Sequence, residues 1–210
     1  MDGYLDKPLM TYLDDAAAKK STPGGGSVTA LVGALATTMG TMAANFTAGR
    51  EKYAAVEPQV QAALRSLAES RRKFLDLMHR DMDVYTALMA TWKLPKETDA
   101  EKAARTEAIQ QATHNSLLVP LKVTHVALDV LQVCQDLASI ANANLLSDIA
   151  VAAVLAEATC ACGRINVEIN LAGLTDQAAV AETRKDLEAG EAKAARLKRG
   201  CLDAIKARQQ

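Results

Sequence analysis

The sequence predicts an all-α fold, and three observations carry that expectation. Half of the 210 residues are hydrophobic but only 3% are aromatic, which describes a core of aliphatic side chains in a chain rich in the helix formers Ala, Leu, Lys and Glu. Apolar residues recur at three- and four-residue intervals through long segments divided by short Gly, Pro and Asn punctuation. Residues 27–48 run without one charged side chain, a length that suits either a buried helix or a membrane span. The expected architecture is an antiparallel bundle of about five long helices forming one domain over residues 1–210, large enough to bury a core.

The elements follow in order. A first helix is predicted from about Lys7 to Ala18. The uncharged helix comes next, entered through Thr22-Pro23-Gly24-Gly25-Gly26-Ser27. Many of its positions are Thr, Ser, Gly, Ala or Asn. Of the others, only Leu31, Val32, Leu35, Met39, Met42 and Phe46 are strongly apolar, too little to favour lipid. Ala36, Gly40 and Ala44, four apart, let neighbouring backbones come close, so this helix is expected to be surrounded by others. A long helix runs from about Glu57 to Trp92, with Pro58 tolerated in its first turn and Leu94-Pro95 closing it. Its buried stripe is Val60, Leu64, Leu67, Phe74, Leu77, Met78, Tyr85 and Leu88. Thr98 and Glu101 form a capping box that opens a helix to about Ile140, expected to kink or break near Val119 because Pro120 removes a hydrogen bond. Ala141-Asn142-Ala143-Asn144 reads as a break, followed by an almost wholly apolar helix to about Leu171. Gly173 ends it and Thr175 is predicted to cap the last helix, to about Ala207. Charges on most of its faces predict that this helix lies outside the bundle.

Charge and composition remove several function classes. A formal net charge of −1, with basic residues scattered among acids, supplies no nucleic-acid footprint. Asp2, Asp6, Asp14 and Asp15 interrupt any early apolar region, so no signal peptide is expected and the cytoplasm is the predicted compartment. Cys134, Cys160, Cys162 and Cys201 lack metal-ligand spacing and read as free, buried thiols. His79, His114 and His125 form no pair suggestive of a metal or a triad. The glycine loop lacks the Gly-Lys-Ser/Thr of a phosphate loop and has no preceding strand, as a dinucleotide site requires.

What remains is a short set of polar residues in apolar surroundings. Asp81 falls inside the stripe of the long helix, four beyond Leu77 and four before Tyr85. A carboxylate there must be paired, neutralised or used, and two readings stand: a structural acid bonded to a neighbouring helix, or a working acid/base. Asp148 is the only acid between Asp136 and Glu157. If Asn144 caps its helix, Asp148 sits in the first turn, where the helix dipole favours it, and spacing alone makes it structural. Asn142 and Asn144 read as turn residues. Asn45 interrupts the uncharged helix where a core residue is expected and must find a partner. Arg50 and Lys52 suit the end of that helix and would equally suit an anionic substrate tail. The three glycines expose free N–H groups where a helix begins.

Read together, TPGGGSVTAL at 22–31, the stretch from Asn45-Phe46-Thr47 to Tyr53, Asp81 with Tyr85, LPKET at 94–98, EKAAR at 101–105, Asn142 with Ser147-Asp148, and NVEINL at 166–171 resemble the cyclodeaminase/cyclohydrolase family in order and approximate spacing. The match spans nearly the whole chain, with departures at Glu51, where a basic residue is usual, and at Ala141, where glycine is usual. The resemblance implies an all-α bundle that dimerises, with a tetrahydrofolate site in a groove near the dimer interface. It implies hydrolysis of 5,10-methenyltetrahydrofolate to 10-formyltetrahydrofolate. Cyclodeamination of 5-formiminotetrahydrofolate with loss of ammonia, or a folate-binding module without catalysis, are the alternatives. Because the chain begins at Met1 without a formiminotransferase segment, the cyclohydrolase is the expected activity.

On that reading Asp81 is the acid/base and Asp148 its partner. Gly24, Gly25, Gly26 and Ser27 admit the folate to the backbone, while Asn45, Asn142 and Ser147 offer hydrogen bonds. Arg50 and Lys52 meet the glutamate carboxylates. Neither a metal nor a tightly bound cofactor is expected. The folate is substrate, and the partner is a second copy of the chain, with no nucleic acid and no membrane.

Overall fold

The computed structural model describes residues 3–209, and within them the chain is all-helical. Six α-helices are present rather than about five: α1 (Leu9–Ala17), α2 (Gly25–Asn45), α3 (Glu57–Thr91), α4 (Asp99–Ile140), α5 (Leu146–Leu171) and α6 (Gln177–Arg208). Five are long and α1 has nine residues. Short 3-10 turns at Tyr4–Asp6, Glu51–Val56 and Ala143–Leu145 punctuate them.

The close approach of α2 to α3 organises the bundle. Gly26, Gly33 and Gly40 are spaced seven apart on α2 and face Asp81, Phe74 and Leu67, spaced seven apart on α3 in the opposite direction. A Cβ at Gly26 would overlap the Asp81 carboxylate. One at Gly33 would stand 2.5 Å from Phe74 Cε1, and one at Gly40 3.3 Å from Leu67 Cδ1. Bare backbone on one helix thus receives side chains from its antiparallel neighbour. Phe74 and Leu67 are fully buried there, with Val60, Leu77, Met78 and Leu88 on the same face. The predicted stripe of α3 is therefore observed, except that Leu64 is half-buried and Tyr85 is exposed.

Four expectations need correction. Pro120 does not break α4, which continues from Asp99 to Ile140. Its ring is buried, and Gly163 of α5 lets the helices meet beside Pro120 O and Thr124, so packing outweighs one missing hydrogen bond. The freed acceptor, Ser116 O, receives Asn170 Nδ2 at 3.5 Å. The last helix is not outside the bundle: α6 buries Val180, Leu187, Ala194, Leu197, Cys201 and Ile205, a seven-residue repeat that periodicity could have disclosed. It is capped by Asp176, whose carboxylate accepts from Ala178 N and Ala179 N, while Thr175 donates to Gln110. Asn144 does not cap α5 either; Asn142 caps the preceding turn and Leu145 precedes the helix.

Two smaller points follow from the same placement. Ala141 is extended, at φ −68° and ψ 167°, so no glycine is required there. Cys134, Cys160 and Cys201 are free and buried, but Cys162 is exposed. Burial pushes the Cys160 thiol up to about 12 and the Cys201 thiol up to about 11, which keeps both unreactive.

The α2 helix is not surrounded on all sides. Val28, Leu35, Met42 and Phe46 are exposed, and Val32 and Met39 are half-buried between them, an alternating four-three spacing that makes one apolar seam. Beside it α5 exposes Val151, Val154, Ile165 and Ile169. Three of the four charges of α5, all but Asp148 in its first turn, are drawn to α6: Glu157 pairs with Lys198 at 2.8 Å, Glu168 with Arg184 at 3.2 Å, and Arg164 with Glu191. By length and composition α2, α4 and α5 could each cross a membrane. Of the three, α5 has the least of its apolar window covered, 44%.

The glycine ladder is testable. Gly33→Ala is expected to destabilise by about 1–3 kcal/mol, the scale of overpacking a tight contact. Phe74→Leu in the same chain should recover part of the loss. A thermal-melt double-mutant cycle with additive losses would show that the two positions do not meet.

Candidate active site

Asp81 stands at the N-terminus of α2, not merely within the stripe of α3. Gly24 precedes α2 with no side-chain cap, leaving the first N–H groups to find partners elsewhere. The Ser27 N–H faces the Asp81 carboxylate closely enough to favour its charged form, so α3 brings a carboxylate against the uncapped first turn of α2. The absence of a Cβ at Gly26 makes room for it. Burial raises the Asp81 carboxyl above the ordinary carboxylate range, and the Ser27 N–H opposes the rise only in part. Behind this pair Ser27 is fully buried, and its Oγ lies 3.0 Å from the hydroxyl of buried Tyr12 on α1. Ser27 thus presents its backbone N–H to Asp81, and its hydroxyl is turned to Tyr12.

In front of Asp81 opens a cavity of about 460 Å³, within the range of small-molecule sites. Its floor is Gly24, Gly25, Gly26 and Asp81, and Tyr85, Leu88 and Trp92 carry the α3 wall towards the mouth. Asn166 and Asn170 close the α5 side. Asn166 Nδ2 donates to Cys162 O at 2.9 Å, and Asn170 Nδ2 donates to Asn166 O at 2.9 Å as well as to Ser116 O. Both amide nitrogens thus serve the fold, and each Oδ1 is left as an acceptor. Neither asparagine was assigned a role from sequence. Two asparagines four apart on an apolar helix were the available signal.

The remaining predicted residues gather at the opposite end. Asn142 N donates to Thr47 Oγ1 at 2.9 Å and its Nδ2 to Phe46 O at 3.2 Å, while its Oδ1 accepts from Asn144 N and Tyr53 Oη. Its side chain is spent on tying the end of α2 to the turn before α5. Asn45 is exposed, not in the core; Ala43, Ala44 and Thr47 take the buried positions. Arg50, Lys52 and Ser147 are also exposed, and Lys52 Nζ lies 5.6 Å from the centroid of the Tyr53 ring. Asp148 is half-buried in the first turn of α5. Since α2 has 21 residues, this cluster lies about 30 Å from Asp81 along its axis. Within one protomer the glycine loop meets Asp81, and Asn45, Arg50, Lys52, Asn142, Ser147 and Asp148 do not. Among the described residues no three His, Cys, Asp or Glu side chains gather as a metal site.

A family model described as formiminotransferase-cyclodeaminase matches residues 8–189, taking in both clusters. The chain belongs to the formiminotransferase-cyclodeaminase family. Within this family it is 34% identical to a methenyltetrahydrofolate cyclohydrolase of Methylorubrum extorquens, over 97% of this chain and 98% of that protein. It is 31% identical to the formimidoyltransferase-cyclodeaminase of Rattus norvegicus over 86% of this chain but 33% of that larger protein. A crystal structure of formiminotetrahydrofolate cyclodeaminase from Thermotoga maritima superposes with a TM-score of 0.79 at 31% identity, covering 96% of this chain and 94% of that one. The family's fold is thus present from end to end.

The raised carboxyl has a stability signature. With a folded pKa above the unfolded value, the native state holds a proton where the unfolded state has released it. The stability this contributes is complete below the ordinary Asp value of about 3.9 and is lost as pH rises through the raised folded value. Asp81→Asn, uncharged throughout and still able to accept from Ser27 N–H, should melt higher than the parent at neutral pH, the difference closing at acid pH. Parallel melting curves across pH would contradict a destabilising charge at this position.

Proposed function

We propose that this protein hydrolyses 5,10-methenyltetrahydrofolate to 10-formyltetrahydrofolate. The observation that carries the reading is end-to-end similarity to a cyclohydrolase combined with a half-buried carboxylate at the floor of a folate-sized cavity. The substrate's bridging carbon lies between two nitrogens that share a positive charge. A carboxylate beside it stabilises that charge and can accept a proton from water. As the water oxygen bonds to the carbon, its proton passes to Asp81. The bond from carbon to N5 then breaks as that proton is returned to N5, and the second water proton leaves the hydroxyl for solvent as the carbonyl forms, so the cation gives a neutral formyl group on N10 and one released proton. Burial suits Asp81 to this exchange because it brings the carboxyl closer to the pH at which it both takes and gives a proton. Glycine-loop N–H groups and the free oxygens of Asn166 and Asn170 are placed to orient the pterin. The reaction is assigned no resident metal or cofactor.

The second reading is cyclodeamination, favoured by the Thermotoga maritima neighbour's name. It uses the same carboxylate to protonate a departing amine. Under chelator, purified protein should accelerate loss of methenyl absorbance, with ammonia release from the formimino substrate slow or absent. Rapid ammonia release without accelerated methenyl hydrolysis would replace the first reading with the second. Asp81→Asn should lower turnover about 10²-fold or more.

The functional unit in this reading is a homodimer. Its support is the uncharged seam of α2 beside the apolar face of α5, which a second copy would cover with the same residues. A lipid occupant fits less well, because the far side of α5 is tied by ion pairs to the charged helix α6. An antiparallel two-fold through this seam would carry the Arg50 end of one protomer towards the glycine loop of its partner. That is the arrangement in which Asn45, Arg50, Lys52, Ser147 and Asp148 could serve the same cavity as Asp81. Sedimentation should give a dimer, and Leu35→Glu should shift it to monomer. A folded, active wild-type monomer at micromolar concentration would rule the dimer out as the working form.

A further inference from the structure

The cavity has a mouth that the reaction above does not use. Trp92, just past the end of α3, lines it and keeps 54% of its surface exposed. Arg105, in the second turn of α4, lies over the indole with its guanidinium carbon 5.4 Å from the ring centroid, and its Nη2 donates to Trp92 O at 3.3 Å. Its Nε is buried without a hydrogen-bond partner. Among the described residues no carboxylate stands within ion-pair distance of Arg105; that of Glu101, one turn earlier on α4, accepts from the N–H groups of Glu97 and Thr98. Arg105 also continues, at helical spacing, the stripe of Thr113, Ser116 and Pro120 that forms the α4 wall of the cavity. An arginine over an indole that lines a cavity mouth, without an anion of its own, has the form of a carboxylate site.

We propose that Arg105, seated on Trp92, binds the α-carboxylate of the substrate's glutamate, with the benzoyl ring lying on the exposed part of the indole. The proposal rests on the folate reading and names its tail site. Its length is right. Asp81 and Trp92 are eleven positions apart on α3, about 16 Å along the axis. From the bridging carbon to the glutamate α-carboxylate a folate spans roughly 10 Å when extended, and a hydrogen bond's length at either end closes the gap. Arg50 and Lys52, about 30 Å from Asp81 in the same protomer, are out of reach of that first carboxylate. A bidentate arginine also discriminates by geometry as well as charge.

Trp92 is the only tryptophan of the chain, so intrinsic fluorescence reads this site directly and without turnover. Titration with p-aminobenzoylglutamate should shift or quench the emission saturably, and p-aminobenzamide, which keeps the benzoyl amide but has no carboxylate, should bind about tenfold more weakly or worse, the scale of losing a charge-assisted hydrogen bond. Arg105→Gln should abolish that difference and Arg105→Lys should restore part of it, with helix content by circular dichroism unchanged. In the turnover assay Arg105→Gln should raise KM for methenyltetrahydrofolate about tenfold or more while kcat stays within about twofold, the pattern of lost ground-state binding. Equal binding of the two probes by the wild type would overturn the proposal. So would a glutamate preference that survives Arg105→Gln but disappears in Arg50→Gln/Lys52→Gln. Wild-type protein that turns over no folate would defeat the catalytic reading alone, because the fluorescence titration would still decide the carboxylate site.

Discussion

Three glycines on α2 set the distance on which the rest of the molecule depends. Because Gly26, Gly33 and Gly40 present no side chain to α3, Leu67 and Phe74 pack onto backbone and Asp81 comes to rest on the first turn of α2. The contacts are one periodic device with two outcomes. At two positions the incoming group is apolar and the result is core. At the third it is a carboxylate, and the same close approach sets a half-buried acid against the uncapped start of α2. Helices held farther apart would leave the start of α2 to water and Asp81 with no reason to be buried.

That arrangement shows how this bundle accommodates polar groups. Asp81 is half-buried with one backbone N–H facing it and no counter-charge beside it, and burial holds its proton affinity high. Ser27 is held from behind by Tyr12. Pro120 removes a hydrogen bond from α4 at the cavity wall, and Asn170 reaches across from α5 to the exposed carbonyl. In each case the group left over by one helix is answered by a side chain from another, so the cavity lining and the helix packing are the same set of contacts. A change to either is felt by both.

The two polar ends of α2 present a different constraint. A straight helix of this length cannot bring its own ends together, so the glycine loop and the cluster around Asn142 have separate tasks within a protomer. Asn142 joins the end of α2 to the turn before α5 by a set of internal hydrogen bonds, a structural task that accounts for its burial. The seam between the two ends carries no charge and no covering element in the protomer, and it is the feature that links the question of assembly to the question of which residues share a site.

Much of the fold was legible in the chain itself. Periodicity located the helices, the Thr98–Glu101 capping box opened α4 as expected, Pro58 fell in the first turn of α3, and Asp81 stood out as an acid in an apolar stripe. These are local properties, settled within a few turns of helix by spacing and by backbone groups seeking partners. The errors share the opposite character. The unbroken α4, the docked α6 and the exposed Asn45 each depended on a partner far away in sequence: Gly163 opposite Pro120, α4 and α5 beneath α6, the orientation of α2 about its own axis. The sequence by itself determined which helices form and which polar residues are out of place among apolar ones. Which of those residues meet is set by packing across the bundle, because helix spacing specifies a face and a height but not which neighbour will stand there.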